Sequence, residues 1–224
     1  LRGDERLDIV MAAVAGADVV LVVLDLHEVA LLVEVLDDLP ADAVVGTSSL
    51  RRTVLLRALR PDLRIEPLRG NLDTRLRKLD EGQFAGIVLA AAGLKRLGLG
   101  GRIRHIFEPE DMLPAAGQGA LGIEIRAGRT DLRDALAPLA HRDTWRAVAA
   151  ERAVSRAMGG SCSMPLAAYA VLVGPSVHLR AAWGDPQGGA TLVRAQGSTQ
   201  AADLAGAAAL GEEVARCLRA NGAH

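Results

Sequence analysis

Cysteine and aromatic residues are scarce in this chain of 224 residues, and each scarcity excludes a class of protein. Two cysteines, Cys162 and Cys217, are too few for a disulfide-stabilised secreted domain and suit a reducing cytoplasm. Aromatic residues make up 2% of a chain that is 50% hydrophobic, so the core must be built from Ala, Val and Leu. The five histidines are scattered and no Cys-x-x-Cys pair occurs, so no metal is expected.

Long apolar runs and a strong net charge are also lacking. No uninterrupted apolar run approaches the roughly 20 residues that a membrane-spanning helix requires. Asp4, Glu5 and Asp8 come too early for the apolar core of a signal peptide. The net charge of −1 gives no case for binding nucleic acid. We therefore expect a cytoplasmic protein with no membrane or nucleic-acid partner.

The basic residues are almost all arginine, and they cluster. Only Lys78 and Lys95 among the 26 basic residues are lysines. Nine basic residues lie between Arg51 and Lys78, against three acidic residues. Guanidinium binds carboxylate in a planar, bidentate manner. The cluster indicates a site for an anion with several charges, although each arginine segment taken alone fits a solvated helix.

Predicted strands and helices alternate in the first half of the chain, which indicates a parallel α/β sheet. A segment rich in Gly and Pro, 98–119, is expected to be a hinge, and strands followed by a long helix then indicate a small α+β unit. The predicted strands are 19–24, 43–46, 63–68, 86–91, 121–125, 166–173, 177–183 and 191–195. The predicted helices are 27–39, 50–59, 72–80, 143–158 and 201–220.

Three predicted strands are followed by anion-binding side chains. The carboxyl ends of parallel strands meet the N-termini of the following helices, whose free N–H groups and dipole attract anions. We therefore expect these side chains to form one anion site. The residues are Thr47, Ser49, Arg51 and Arg52 after the first strand, Arg69, Asn71 and Arg75 after the second, and Arg96 after the third.

The turn Gly159–Pro165 presents a thiol. Its glycine pair frees the backbone and Pro165 anchors the strand that follows. A Cys162 thiolate there can attack an electrophilic carbon and remain attached, although a buried structural thiol is the alternative. Cys217 is predicted to be structural, on an apolar helix face with Leu210, Val214 and Leu218.

Seven motifs that follow one another along the chain resemble the porphobilinogen deaminase, or hydroxymethylbilane synthase, family. The resemblance covers roughly residues 40–224. It implies periplasmic-binding-protein-like α/β domains followed by a small α+β domain. The motifs are Gly-Thr-Ser-Ser-Leu-Arg-Arg (46–52), Arg-Pro-Asp-Leu (60–63), Arg-Gly-Asn-x-x-Thr-Arg-Leu-x-Lys-Leu (69–79), Leu-Ala-x-Ala-Gly-Leu-Lys-Arg-Leu (89–97), Leu-Pro-Ala-x-Gly-Gln-Gly-Ala (113–120), Glu-Arg-Ala (151–153) and Gly-Gly-x-Cys-x-x-Pro (159–165).

The resemblance implies a transferase that carries a dipyrromethane cofactor on Cys162 through a thioether. The family extends this primer by four porphobilinogen units, releases ammonia at each step and frees hydroxymethylbilane. The resemblance also implies a monomer and a small-molecule substrate. The implied ligands of the cofactor carboxylates are Thr47, Ser49, Arg51, Arg52, Arg69, Asn71 and Arg75, and the implied substrate ligands are Arg96 and Gln118.

The chain departs from the family pattern at its beginning, where the first domain is expected to be truncated or divergent. The family motif His-Ser-x-Lys-Asp-x-Pro, whose aspartate is the key acid, is not recognisable. Asp8 is the first candidate for that aspartate, because it precedes Gly16 by the family spacing, and Asp4 and Asp25 are weaker alternatives. The implied division is a first-domain remnant at 1–40, an anion-binding domain at 41–114, a crossover at 115–142 and the cysteine-bearing domain at 143–224.

Two alternatives remain open. A catalytically inert homologue would keep the anion-binding and thiol-bearing domains without turnover. A small-anion sensor of periplasmic-binding-protein-like fold is the second, although it gives Cys162 no role.

Overall fold

The structure is a computed structural model that describes residues 8–14, 17–23, 29–31, 36–126, 128–160, 164–188, 191–200 and 203–224. In chain order its strands and α-helices are β1 (Asp8–Val14), β2 (Ala17–Val23), β3 (Val29–Leu31), β4 (Val44–Gly46), α1 (Leu50–Leu59), β5 (Arg64–Glu66), α2 (Leu72–Asp80), β6 (Gly86–Ala90), α3 (Ala91–Arg96), β7 (His105–Phe107), β8 (Ala120–Arg126), α4 (Thr130–Leu136), α5 (Arg142–Ala157), β9 (Leu166–Val173), β10 (Ser176–Trp183), β11 (Val193–Gln200) and α6 (Leu204–Ala220).

The central sheet has the strand order β5-β4-β6-β3-β7. β4 lies between β5 and β6 and runs parallel to both, whereas β3 pairs antiparallel with β6 and β7. The predicted α/β class is therefore confirmed, with a parallel part that carries the anion-binding loops. The sheet as a whole is mixed, because β3 runs against its neighbours.

The helix predicted over residues 27–39 is wrong. Among the residues of this range that the structure describes, Val29–Leu31 form a strand and helical turns occur only in a 3₁₀ helix at Leu36–Asp38. Apolar residues spaced three and four apart fit a helix, but two neighbouring strands offer β3 backbone partners on both sides. Sheet pairing therefore overrides the local pattern.

The described residues form two further sheets, and both are antiparallel. β8 pairs with β2, which also pairs with β1, so the chain returns to its first strands after β7. The last sheet has the order β11-β10-β9, and α5 and α6 pack on one of its faces. This arrangement confirms the α+β unit at the C-terminus, whereas the bounds of the four predicted segments remain a prediction.

Small and aliphatic residues dominate the described core, as the scarcity of aromatics predicts. α5 and α6 lie very close together at Gly211, where a Cβ atom would stand 2.6 Å from Ala153 Cβ and closer still to the carbonyl oxygen of Ala150. On the other face of the last sheet, Ala167 and Ala182 share a core cluster with Leu55 of α1. The α+β unit is therefore packed against the helix that begins the anion-binding region.

No helix within the described ranges is both long and apolar enough to cross a membrane.

Candidate anion-binding site

Three loops meet at one edge of the central sheet. β5, β4 and β6 are adjacent and parallel, so their carboxyl ends lie at the same edge. α1 follows β4, α2 follows β5, and α3 follows β6 directly. The first N–H groups of a helix have no partner within the helix, and α1 and α2 both begin at this edge. The structure thus brings the predicted anion-binding segments together.

The loop between β4 and α1 is held by its own hydroxyl and backbone groups. Thr47 is 3% exposed; its N–H donates to Glu66 O at 3.0 Å, and its carbonyl accepts from Leu68 N at 3.2 Å. Thr47 Oγ1 accepts from Ser49 N at 3.3 Å. Ser49 Oγ caps α1 by accepting from Arg52 N at 3.4 Å. These bonds fix the loop that positions the first arginines.

Arg51 is 5% exposed and bonds to the segment that precedes β8. Its Nη1 donates to the carbonyl oxygen of Leu113, and its Nη2 donates to Gln118 Oε1 at 3.0 Å. Burial and, to a smaller extent, the charge of Arg52 together lower the pKa of Arg51 to about 9. Arg51 is still protonated at neutral pH, so it places a buried positive charge between α1 and this segment.

Arg52 has an unused donor. Its Nη1 donates to Val88 O at 3.1 Å, but Nε is buried and has no hydrogen-bond partner in the described part of the chain. Burial lowers the pKa of Arg52 to about 10, and the charge of Arg75 contributes in the same direction. A buried donor without an acceptor costs about 1–3 kcal/mol, so this position favours an incoming acceptor.

Arg51 and Arg52 differ from several surface arginines in their ion pairing. Arg60, Arg102 and Arg129 each form an ion pair with an aspartate, at 2.5–2.6 Å. Within the described residues, neither Arg51 nor Arg52 contacts a carboxylate. Adjacent guanidiniums repel each other, and only a negative ligand offsets that repulsion and the cost of burial.

The second loop adds Asn71, Arg75 and Arg69. Asn71 caps α2, and its Oδ1 accepts from Thr74 N at 2.9 Å. Arg75 is half-buried and its Nε donates to Gly70 O at 2.8 Å, which leaves its Nη groups for a ligand. Gly70 has a φ of +117°, a left-handed conformation that favours glycine. The side chain of Arg69 is exposed.

Arg96 lies in the last turn of α3 and is exposed. Its predicted role therefore rests on its position after the third strand of the parallel part. Gln118 accepts from Arg51 and from Ala115 N, the latter at 3.2 Å. It therefore links the crossover segment to the buried arginine, and its role toward a substrate stays a prediction.

Glu151 is a buried carboxyl to which we assigned no role from the sequence. It is 3% exposed on α5 and accepts from Gly117 N at 2.7 Å and from Ala170 N at 2.8 Å. Burial raises the pKa of Glu151 to about 8, although the two backbone N–H groups act in the opposite direction. It ties the crossover segment to the edge of β9. Its place in a Glu-Arg-Ala motif was the only sequence signal.

Two predicted reactive residues are not fully described. Cys162 lies outside the described residues, but the backbone on both sides is defined. Gly159 and Gly160 have φ values of +100° and +48°, and Pro165 is buried immediately before β9. Asp8 is the first residue of β1, paired with Val23. Of its side chain nothing is described, so its catalytic role stays a prediction.

The prediction that Cys217 is a buried structural thiol is wrong, because its side chain is exposed. Leu210, Val214 and Leu218 form the buried stripe of α6. Cys217 precedes Leu218 and is therefore rotated by about 100° around the helix, outside that stripe.

Two family models match the chain. Residues 7–134 match the model described as "Porphobilinogen deaminase, dipyromethane cofactor binding domain". Residues 145–220 match the model described as "Porphobilinogen deaminase, C-terminal domain". The likeness therefore begins well before residue 40, where the recognisable motifs start.

Three relatives named porphobilinogen deaminase illustrate the likeness. The protein of Albidiferax ferrireducens is 71% identical over 185 residues, which is 83% of this chain and 59% of the relative. The protein of Paraburkholderia phytofirmans is 62% identical, over 83% of this chain and 54% of the relative. The protein of Burkholderia thailandensis is 59% identical, over 84% of this chain and 57% of the relative. The chain thus spans little more than half the length of these curated relatives.

Proposed function

The chain belongs to the porphobilinogen deaminase family, and from this premise we propose that it holds a dipyrromethane primer on Cys162 and extends it by four porphobilinogen units. Ammonia and hydroxymethylbilane are the products, which makes the protein a transferase of tetrapyrrole and haem biosynthesis. One observation carries this proposal most strongly: two adjacent guanidiniums at the carboxyl edge of the sheet, those of the buried Arg51 and the half-buried Arg52, contact no carboxylate of the described chain.

The residues present fit a dipyrromethane. Each of its pyrrole rings carries an acetate and a propionate, and the buried Nε of Arg52 is a donor that lacks an acceptor among the described residues. The Nη groups of Arg75 and the first N–H groups of α1 lie at the same edge. A charge-assisted hydrogen bond contributes roughly 1.5–3 kcal/mol, so a few of them orient such a ligand firmly.

We assign the cofactor carboxylates to the side chains of the first two loops and the substrate carboxylates to Arg96 and Gln118. Arg51 acts mainly by holding the crossover segment, since two of its donors already bind Leu113 and Gln118. When bound, the dipyrromethane supplies the free pyrrole α-carbon to which each new unit is joined. The cofactor ligands in this proposal are Thr47, Ser49, Arg51, Arg52, Arg69, Asn71 and Arg75.

A carboxylate is needed for the proton transfers. In each condensation the aminomethyl C–N bond of porphobilinogen breaks, its nitrogen leaves as ammonia, and a C–C bond forms with loss of the α-carbon proton. A carboxylate near the pyrrole nitrogens stabilises the positive charge that develops as ammonia leaves. We propose Asp8 for this role, on the spacing that it shares with the family aspartate.

We also propose that the protein acts in the cytoplasm as a monomer without nucleic acid. The scarcity of cysteine supports the cytoplasmic location. The net charge of −1 supports the absence of a nucleic-acid partner. In the described chain four large hydrophobic side chains are exposed, at Leu97, Leu132, Leu139 and Val173. So small a number supports the proposal of a monomer.

Intact mass spectrometry tests the proposal. After brief exposure to porphobilinogen, the wild-type chain should show masses that rise in steps of one pyrrole unit above a two-unit adduct. Cys162→Ser should show none of them, and Cys217→Ser should match the wild type. A chain whose mass stays unmodified after exposure contradicts the proposed function.

A further inference from the structure

A cavity of about 350 Å³ lies between the crossover segment and the end of α5, and neither Arg51 nor Arg52 lines it. Gly117 and Val148 line it, as does Gly160, the last described residue before Cys162. The volume lies at the lower end of the range of about 300–1,000 Å³ that ligand pockets occupy, and it suits one small ring with its substituents.

The polar groups of this cavity are of one sign. Arg152, Ser155 and Arg156 of α5 line it, and none of the residues that line it is acidic. Arg152 and Arg156 are four residues apart, so their guanidiniums lie on the same face of the helix. Neither arginine forms an ion pair within the described residues. Two like charges that face one cavity repel each other unless an anion lies between them.

The cavity is adjacent to both parts of the proposed reaction site. Gly160 lies two residues before Cys162, and two residues of extended chain span at most about 7 Å. On the opposite wall, Gly117 directly precedes Gln118, which binds Arg51. Glu151 holds Gly117 through its backbone N–H, so this wall is fixed relative to α5.

We propose that Arg152 and Arg156 form a second carboxylate subsite, which binds the acetate and propionate of a pyrrole unit in the chain that grows on Cys162. This inference rests on the proposed function. Two guanidiniums one helical turn apart match two carboxylate arms on one ring, and Ser155 supplies a hydroxyl donor between them. The subsite binds only, and forms no bond with the ligand.

Chemical protection tests the subsite without requiring turnover. The full chain is treated with phenylglyoxal, which modifies free guanidiniums, in the presence and absence of porphobilinogen, and modification is located by peptide mass spectrometry. Porphobilinogen should protect Arg152 and Arg156 but not Arg142, an exposed arginine of the same helix. Inorganic phosphate at the same concentration should protect them less, because it lacks the ring that fills the cavity and the two separate carboxylate arms that reach both guanidiniums.

Variants give an independent measurement. In Arg152→Gln with Arg156→Gln, the two-pyrrole adduct on Cys162 should form as in the wild type. The porphobilinogen concentration for half-maximal extension should rise by roughly ten-fold or more, because each lost charge-assisted bond costs about a factor of ten. Arg142→Gln should behave like the wild type.

The outcomes separate the two proposals. If the adduct forms and is extended normally in the double variant, and porphobilinogen protects neither arginine, the subsite is wrong and the proposed function stands. If no adduct forms but porphobilinogen protects Arg152 and Arg156, carboxylate binding by the two arginines stands, whereas the growing chain on Cys162 and the proposed function are wrong. If no adduct forms and porphobilinogen protects neither arginine, the subsite and the proposed function are both overturned.

Discussion

Replacing Glu151 by Gln removes the titration of this buried carboxyl while keeping its shape. The pKa of Glu151 is raised to about 8 in the folded chain from an ordinary value of 4.5. Between these values the folded chain holds a proton that the unfolded chain has lost. The free energy of unfolding therefore falls as the pH rises through this window, and the stabilisation, complete below about pH 4.5, is lost above about pH 8.

The size of the effect follows from the same two values. A carboxyl with a pKa of about 8 when folded and 4.5 when unfolded changes the stability by roughly 5 kcal/mol across the window. Glu151→Gln lacks this dependence. Its amide offers one acceptor oxygen in place of two, so either Gly117 N or Ala170 N loses its partner, at a cost of about 1–3 kcal/mol.

Urea unfolding at intervals from pH 5 to pH 8.5 measures both effects. The wild type should lose several kcal/mol of stability over this range, and Glu151→Gln should lose much less. Glu151→Gln should therefore be the less stable protein at pH 5 and should approach or exceed the wild type near pH 8.5. Glu212→Gln, an exposed carboxyl on α6, is the matched control and should follow the wild type. A stability difference between the wild type and Glu151→Gln that is constant with pH would refute the raised pKa of the buried Glu151 carboxyl.

Three further substitutions probe the packing, the cluster and the acid. Gly211→Ala should lower the stability by at least about 1–3 kcal/mol in thermal unfolding, because its Cβ would lie 2.6 Å from Ala153 Cβ; an unchanged midpoint contradicts the close contact of α5 and α6. Arg75→Lys should weaken cofactor loading by roughly ten-fold, because lysine lacks the bidentate fork; normal loading by intact mass would make Arg75 solvated surface. Asp8→Asn should load the cofactor and keep its circular dichroism spectrum but should not extend the primer, and extension at the wild-type rate would eliminate Asp8 as the acid.

Local signals predicted most elements but not the contacts between distant segments. α2 and β9 coincide with their predicted ranges, because capping residues, apolar periodicity and turn residues all lie within a few positions. β3 was missed because its strand partners, β6 and β7, lie more than fifty residues away along the chain.

The site shows the same division. Its arginines and hydroxyls could be found from strand ends, because the rule that places anions there depends on local order. The burial of Arg51 could not be predicted in this way, since it depends on contacts with Leu113 and Gln118, which lie more than sixty residues further along the chain. The raised pKa of Glu151 depends on the packing of α5 against β9 and the crossover segment, and nothing local signals it.

The central claim is that Arg51 and Arg52, which form no ion pair within the described residues, hold the cofactor at the sheet edge. The most direct test is the fraction of purified chains that carry a two-pyrrole adduct on Cys162, measured by intact mass in the wild type, in Arg52→Met and in Arg77→Met. Arg77 is exposed on α2 and pairs with Glu81 at 3.7 Å, so it controls for the loss of one arginine near the site. Nearly full loading in the wild type and Arg77→Met, with a strong loss in Arg52→Met, is the predicted result. Equal loading of all three proteins, or no adduct in any of them, would contradict the claim.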